Sequence, residues 1–224
     1  MTTLPRLHLL TDDAVLADAA FAAAAERVLE CCGALAALHV RGHSTDGARL
    51  HASAERLQGV ALRTGAWLLV NDRVDIALSV RANGVQLGSR SLPVADARAL
   101  LGAGARIGCS VHGAAEALQA ESDGADFVVL GTIFQSPSHA GRVPAGTRLV
   151  RDTCARTVLP VIAVGGITPA RVADVAAAGA HGAAVLGGLW RSGDPPAAAA
   201  EYGAAVRAAW PDAVQQDQQD DRMA

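Results

Sequence analysis

The chain contains no lysine; all 19 residues in its Lys+Arg count are arginine. That absence excludes chemistry through a lysine Schiff base and a P-loop with its phosphate-binding lysine. Four cysteines are present, Cys31, Cys32, Cys109 and Cys154, but no CxxC pair. A clustered zinc site is therefore not expected, and buried thiols are. The formal net charge is only −3 and no basic stripe stands out, which disfavours nucleic acid as a partner. No apolar run approaches the length of a membrane span. The start, "MTTLPRLHLLTDD", lacks the charged-then-apolar build of a signal peptide. Together these absences predict a soluble, cytoplasmic protein with no membrane partner.

What is present is hydrophobic patterning, at 51% of residues enough to bury a substantial core. Short apolar runs recur: "LHLL" (7–10), "LHV" (38–40), "WLLV" (67–70), "GVQL" (84–87), "RIGCS" (106–110), "FVVL" (127–130), "PVIAV" (160–164) and "AAVL" (183–186). Between them lie longer segments such as "ADAAFAAAAERVLECC", with apolar residues at helical spacing. Strand then helix, repeated, means parallel strands joined by crossover helices. Eight such units in 224 residues predict an α/β fold, a closed (β/α)8 TIM barrel. A doubly wound open sheet is the alternative. No composition break divides the chain, so residues 1–210 read as a single barrel domain. Residues 211–224 read as a polar C-terminal tail, expected to be disordered.

In such a barrel, chemistry sits where strands end, and the residues just after each run are polar or glycine. "VIAVGGITPARVADV" is a strand, a glycine pair and a helix start, with Thr168 suited to the N-cap and Pro169 to the first helical turn. "AAVLGGLW" repeats the pattern one strand later. Glycines let the backbone approach an anion, and helix-terminal amides supply donors. Gly165, Gly166, Gly187 and Gly188, after strands seven and eight, are thus candidate phosphate-binding residues. The plainer alternative is two tight turns that need positive φ.

With those positions assembled, the sequence resembles the thiamine phosphate synthase and TenI superfamily. The resemblance runs from "LHLLTDD" to "AAVLGGLW" and is carried by "LHVRGH", "LLVNDRVDIAL", "NGVQLG", "GADFVVLGTIF", "PVIAVGGITP" and "AAVLGG". Two activities are implied. A synthase joins a pyrimidine diphosphate to a thiazole phosphate and releases pyrophosphate, with magnesium. A TenI-type tautomerase moves a proton so that a carboxythiazole phosphate becomes aromatic, without metal. Where synthases show "QLREK", this chain reads "HVRGH"; where they show "HLGQxD", it reads "QLGSRS", with Ser91 in the aspartate position; where they show "TxTK", it reads "SPSH". These three losses in the diphosphate and metal apparatus make the tautomerase, an isomerase of thiamine biosynthesis, the expected function. The synthase, a transferase, is the alternative, as is a non-catalytic thiazole-phosphate binder on the same barrel.

The resemblance implies catalytic roles for His139, in the synthase-lysine position, and for His39, because an imidazole titrating near neutrality can take and return a proton. His39 alternates with Val40, so one of the two faces the barrel interior, and a hydrogen-bonded core histidine remains the other reading. Arg41, His43, Asn71, Asp72, Ser110, Thr132 and Ser138 are the implied substrate-binding residues. Arg41 could use its planar donor fork on an anionic substrate. Asn71 and Asp72 could equally cap the following helix. His112 could begin a helix, while His8, His51 and His181 read as structural or surface residues. No protein metal site is expected, with magnesium entering only if the synthase alternative holds. The partner is a phosphorylated thiazole, with room left for a homo-oligomer.

Overall fold

A computed structural model of the protein describes residues 3–135 and 144–211. Eight parallel strands close into a barrel: β1 Leu7–Leu10, β2 Ala36–Val40, β3 Trp67–Asn71, β4 Gly84–Leu87, β5 Arg106–Val111, β6 Phe127–Gly131, β7 Val161–Val164 and β8 Gly182–Val185. Pairing of β1 with both β2 and β8 removes the open-sheet alternative. The apolar runs locate each strand to within two residues at either end, and "GVQL" matches β4 at both ends.

Helices wrap the outside: α1 Asp13–Ala17, α2 Phe21–Cys32, α3 Gly47–Thr64, α4 Val74–Val80, α5 Val94–Leu101, α6 Ala114–Ser122, α7 Gly146–Cys154, α8 Pro169–Ala177, α9 Gly187–Trp190 and α10 Pro195–Ala209. Local chemistry explains their starts. Asp12, Asp46 and Asp194 each accept a backbone N–H at a helix N-terminus. Thr168 occupies the N-cap position of α8 as expected, but its side chain makes no capping bond.

Strand alternation divides the core in two. One set of side chains, including Leu9, Leu38, Leu68, Val70 and Val85, packs between strands and helices. The other fills the barrel: Ala37, Trp67, Leu69, Phe127, Val129, Ile162 and Ala184. Gly84 and Gly108 are dictated by close approach, since a Cβ at Gly84 would lie 1.9 Å from the Arg106 carbonyl oxygen and one at Gly108 2.3 Å from the Phe127 ring. The cysteine expectation needs correction: Cys32 is buried, with burial pushing its thiol up to about 12, but Cys31 is exposed. Among the described residues, no helix is long and apolar enough to cross a membrane.

Candidate active site

All eight strands run the same way, so their C-terminal ends share one rim. Thr11, fully buried just past β1, staples that rim together. Its single hydroxyl proton is shared between the carbonyls of His39 (3.1 Å) and Arg41 (2.9 Å), and its oxygen accepts the Arg41 N–H (2.8 Å). The backbone of Arg41 is thereby pinned, while its guanidinium reaches the exposed imidazole of His43. The loop beyond is built around Asp13, whose carboxylate accepts the N–H groups of His43, Ser44 and Thr45 and the Thr45 hydroxyl. The Thr45 hydroxyl and these amides hold its carboxyl down to about 2. The loop therefore presents two basic side chains, Arg41 and His43, from a backbone that is fixed at both ends.

At the end of β3, Asp72 adopts φ of 62°, a left-handed conformation that Asp tolerates better than most non-glycine residues. It does not cap α4. Its Oδ1 instead accepts the Gly88 N–H (3.0 Å) and the Ser91 hydroxyl. Ser91, which reads in the sequence as a lost carboxylate, thus binds the carboxylate that remains. Among the described residues no three His, Cys, Asp or Glu side chains come together as a metal cluster. Asp72 does fit the lesser role that magnesium asks when substrate phosphates supply most of the ligands, one carboxylate oxygen.

The glycine corner separates into two kinds of glycine. A Cβ at Gly165 would lie 2.5 Å from the Thr132 methyl, one at Gly166 2.4 Å from the Gln135 carbonyl oxygen, and one at Gly188 2.3 Å from the Tyr202 hydroxyl. Gly165 and Gly166 also have φ of 105° and 61°. These three have packing or backbone reasons to be glycine. Gly187 has neither: its φ is not positive, and the nearest obstacle to a Cβ is the flexible end of Arg191, 3.2 Å away. It opens α9, where the first N–H groups have no intrahelical acceptor. Two cations that the sequence pattern does not single out frame this corner. Arg191 pairs with Asp12 at 2.6 Å, closing β8 onto β1, and Arg171 stacks on Phe134 while donating to the Gly166 carbonyl at 2.8 Å. The one cue for Arg191 is its place directly after "GGLW".

Inside the barrel, His39 rather than Val40 faces the axis, and it is fully buried. Its Nε2 lies 2.7 Å from His8 Nδ1, and His8 Nε2 lies 3.0 Å from the Pro5 carbonyl oxygen. Burial holds the His39 imidazole down to about 3, with Arg41 pushing the same way and the Asn71 side chain opposing. His8 is lowered too, first by burial and then by His39. Both rings are neutral at pH 7. Gln86, hidden in the sequence inside an apolar run, is the further polar group here; its Nε2 donates to Ser110 Oγ at 3.0 Å. His112 pairs instead with Glu116 in the first turn of α6, the helix-starting role. Thr132 sits at the end of β6, its methyl facing Gly165. Ser138 and His139 lie outside the described residues.

The buried pair makes a pH prediction. Unfolded histidine protonates near 6.5, whereas these folded rings resist protonation to well below that. The resulting stability is present above pH 6.5 and is lost as pH falls below it, at up to about 1.4 kcal/mol per unit per ring. Thermal unfolding followed by circular dichroism should show a midpoint several degrees lower at pH 5.5 than at pH 7.5. An unchanged midpoint would contradict two neutral buried imidazoles.

Fold and rim define a (β/α)8 barrel with basic groups after β2, a carboxylate after β3 and a glycine corner after β7 and β8. The thiamine monophosphate synthase (TMP-TENI) family matches residues 7–189, and the chain belongs to that family. A thiamine-phosphate synthase of Salinispora arenicola is 37% identical over 210 residues, covering 90% of this chain and 97% of that one. One of Gloeobacter violaceus is 45% identical over 140 residues, covering 62% of this chain and 41% of that one. The chain spans about two-fifths of the length of the latter and of a thiamine-phosphate synthase of Synechococcus. Among solved structures, a thiamine phosphate pyrophosphorylase from Pyrococcus furiosus superposes with a TM-score of 0.80 at 27% identity, covering 92% of this chain and 96% of that one.

These relatives overturn the expected function. Proteins 37–47% identical to this chain are named as thiamine-phosphate synthases or as bifunctional proteins of thiamine biosynthesis, not as tautomerases. The isomerase expectation is withdrawn. It rested on missing lysines and a missing aspartate. Physically, arginine can hold an anion where lysine does not, and magnesium needs few protein carboxylates when phosphates supply the rest.

Proposed function

We propose that the chain is a transferase of the thiamine-phosphate synthase type, joining hydroxymethylpyrimidine diphosphate to a thiazole phosphate. The observation that carries this reading is the match to the Salinispora arenicola synthase along nearly the whole of both chains. The rim supports it chemically, because two anionic substrates need two separate anion sites. Arg41 and His43 serve the diphosphate. The Gly187 amide, with Gly165, Gly166 and Gly188 shaping the corner, serves the thiazole phosphate. Asn71, Ser110 and Thr132 line the space between.

In the reaction the thiazole nitrogen bonds to the pyrimidine methylene carbon as that carbon's bond to oxygen breaks, and the electron pair leaves on pyrophosphate. The protein's task is to align two bound substrates and to stabilise charge on the leaving group. Arg41 does this with fixed donors whose geometry matches phosphate oxygens. Magnesium, where bound, neutralises diphosphate charge, and Asp72 is the residue that would hold it.

The test is pyrophosphate release on mixing both substrates with magnesium. It should require both substrates and be absent with either alone. Asp72→Asn keeps the left-handed backbone accessible and keeps an oxygen for Gly88 and Ser91. We expect turnover to fall roughly tenfold, partly recovered by raising magnesium, since only the charge has been removed. Full activity at low magnesium in this variant would remove Asp72 from the cation's surroundings.

A further inference from the structure

We propose that His8 is a positioning residue for the barrel mouth. Anchored on the Pro5 carbonyl, it holds His39 as the Nε2–H tautomer, which takes an N–H from Asn71 and leaves the Asn71 carbonyl as a fixed acceptor for a ring amine of the substrate. The identity of that ring, an aminopyrimidine, rests on the transferase reading above; the hydrogen-bonded chain does not.

The directions follow from donor and acceptor accounting. A carbonyl oxygen only accepts, so the 3.0 Å contact from His8 Nε2 to Pro5 requires a proton on that nitrogen. A neutral imidazole has one N–H, so His8 Nδ1 carries a lone pair. The 2.7 Å contact to His39 Nε2 therefore takes its proton from His39. His39 has then spent its own N–H, and its Nδ1 is a bare acceptor. Both rings are fully buried, which opposes the protonated states that would undo this order. The Arg41 guanidinium disfavours protonation of His39 further.

Room and height are set by the strands. His8 is aligned with Ala37 on one side and Ala184 on the other, small residues that leave space for the ring. Phe127 packs against it at 5.7 Å between centroids. His39 is aligned with Leu69, so Asn71 stands one interior layer nearer the mouth. The chain thus climbs from Pro5 below β1, through His8 and His39, to the last residue of β3. At its upper end His39 Nδ1 and Asn71 Oδ1 are both buried, and neither has a hydrogen-bond partner among the described residues. The Asn71 side chain acts on the His39 ring, and two acceptors facing each other would satisfy neither. With the Asn71 amide turned so that Nδ2–H donates to His39 Nδ1, the imidazole is satisfied and the amide oxygen is directed to the mouth. Asn71 alone could present either end of its amide; the chain beneath it selects one.

Two measurements test this. In the ligand-free protein, 15N chemical shifts of the imidazoles should show both His8 and His39 neutral with the proton on Nε2. A proton on Nδ1 of either ring overturns the inference whatever the activity proves to be, while absent pyrophosphate release alongside correct tautomers counts against the transferase reading alone. By calorimetry, the wild type should bind the hydroxymethylpyrimidine alcohol at least about tenfold more tightly than the analogue with hydrogen in place of the amine, the scale of one well-made hydrogen bond. His8→Phe should reduce that preference to less than about threefold, and His8→Gln, which can donate to Pro5 and accept from His39, should keep it. No preference in the wild type, or an undiminished preference in folded His8→Phe, overturns the proposal. If His8→Phe does not fold, the wild-type tautomers and the wild-type preference decide.

Discussion

Replacing Gly187 with valine is expected to weaken binding of a thiazole phosphate by about a hundredfold, the cost of losing a hydrogen bond or two to a charged group. The unphosphorylated thiazole alcohol should lose less than about threefold, because the new side chain blocks an anion's approach to the α9 amides. Gly187 is the clean position for this test. Its φ is not positive, and a Cβ there meets only the movable end of Arg191. Gly166 would be a poor choice, since its φ of 61° and the Gln135 carbonyl oxygen, 2.4 Å from where a Cβ would stand, would strain the fold itself. Titration calorimetry on both ligands, with a melting curve as control, reads the result. Equal weakening of both ligands would show that the glycine shapes the pocket and does not hold phosphate.

Arg41→Ala is expected to lower kcat/KM for the diphosphate substrate by about a hundredfold, while the melting temperature moves by no more than a degree or two. The two effects separate because the residue is held by its backbone and works through its side chain. Thr11 binds both the N–H and the carbonyl of Arg41, and alanine keeps those bonds. Among the described residues the guanidinium bonds to exposed His43 alone, so stability should change by less than about 0.5 kcal/mol. Loss of charge-assisted bonds to phosphate accounts for the rate. Arg41→Lys should restore little, because an ammonium lacks the planar fork. In a chain without lysine, that comparison also tests whether arginine is needed there for its shape or only for its charge. Steady-state kinetics at fixed thiazole phosphate gives the answer, and an unchanged kcat/KM would take Arg41 out of the diphosphate site.

The barrel is legible in the sequence because its signal is local. Each apolar run carries enough β-branched and leucine residues to be recognised alone, and eight runs separated by amphipathic segments leave few topologies. The site is legible only in part, because its contacts cross the barrel. Alternation along β2 says that His39 or Val40 points inward, but nothing local says that His8, 31 residues earlier, will meet it. Gln86 escapes notice because three apolar neighbours mask it, although the same alternation puts it inside. Asp12 and Arg191 pair across 179 residues, a contact that exists only once β8 closes on β1. Ser91 reads as a missing ligand; its hydroxyl on Asp72 depends on how β3 and β4 end together. The functional expectation goes astray for a related reason. Residue losses count position by position, while positive charge at a rim can be supplied from positions that a motif does not name.

The most direct measurement is a product balance with the pyrimidine diphosphate labelled with 18O at its methylene oxygen, incubated with thiazole phosphate, magnesium and the purified protein. The account predicts thiamine phosphate and pyrophosphate in equal amounts by mass spectrometry, with the label retained in pyrophosphate, because the bond that breaks is carbon to oxygen. Folded protein that forms no thiamine phosphate under these conditions, or releases pyrophosphate without it, would contradict the transferase assignment.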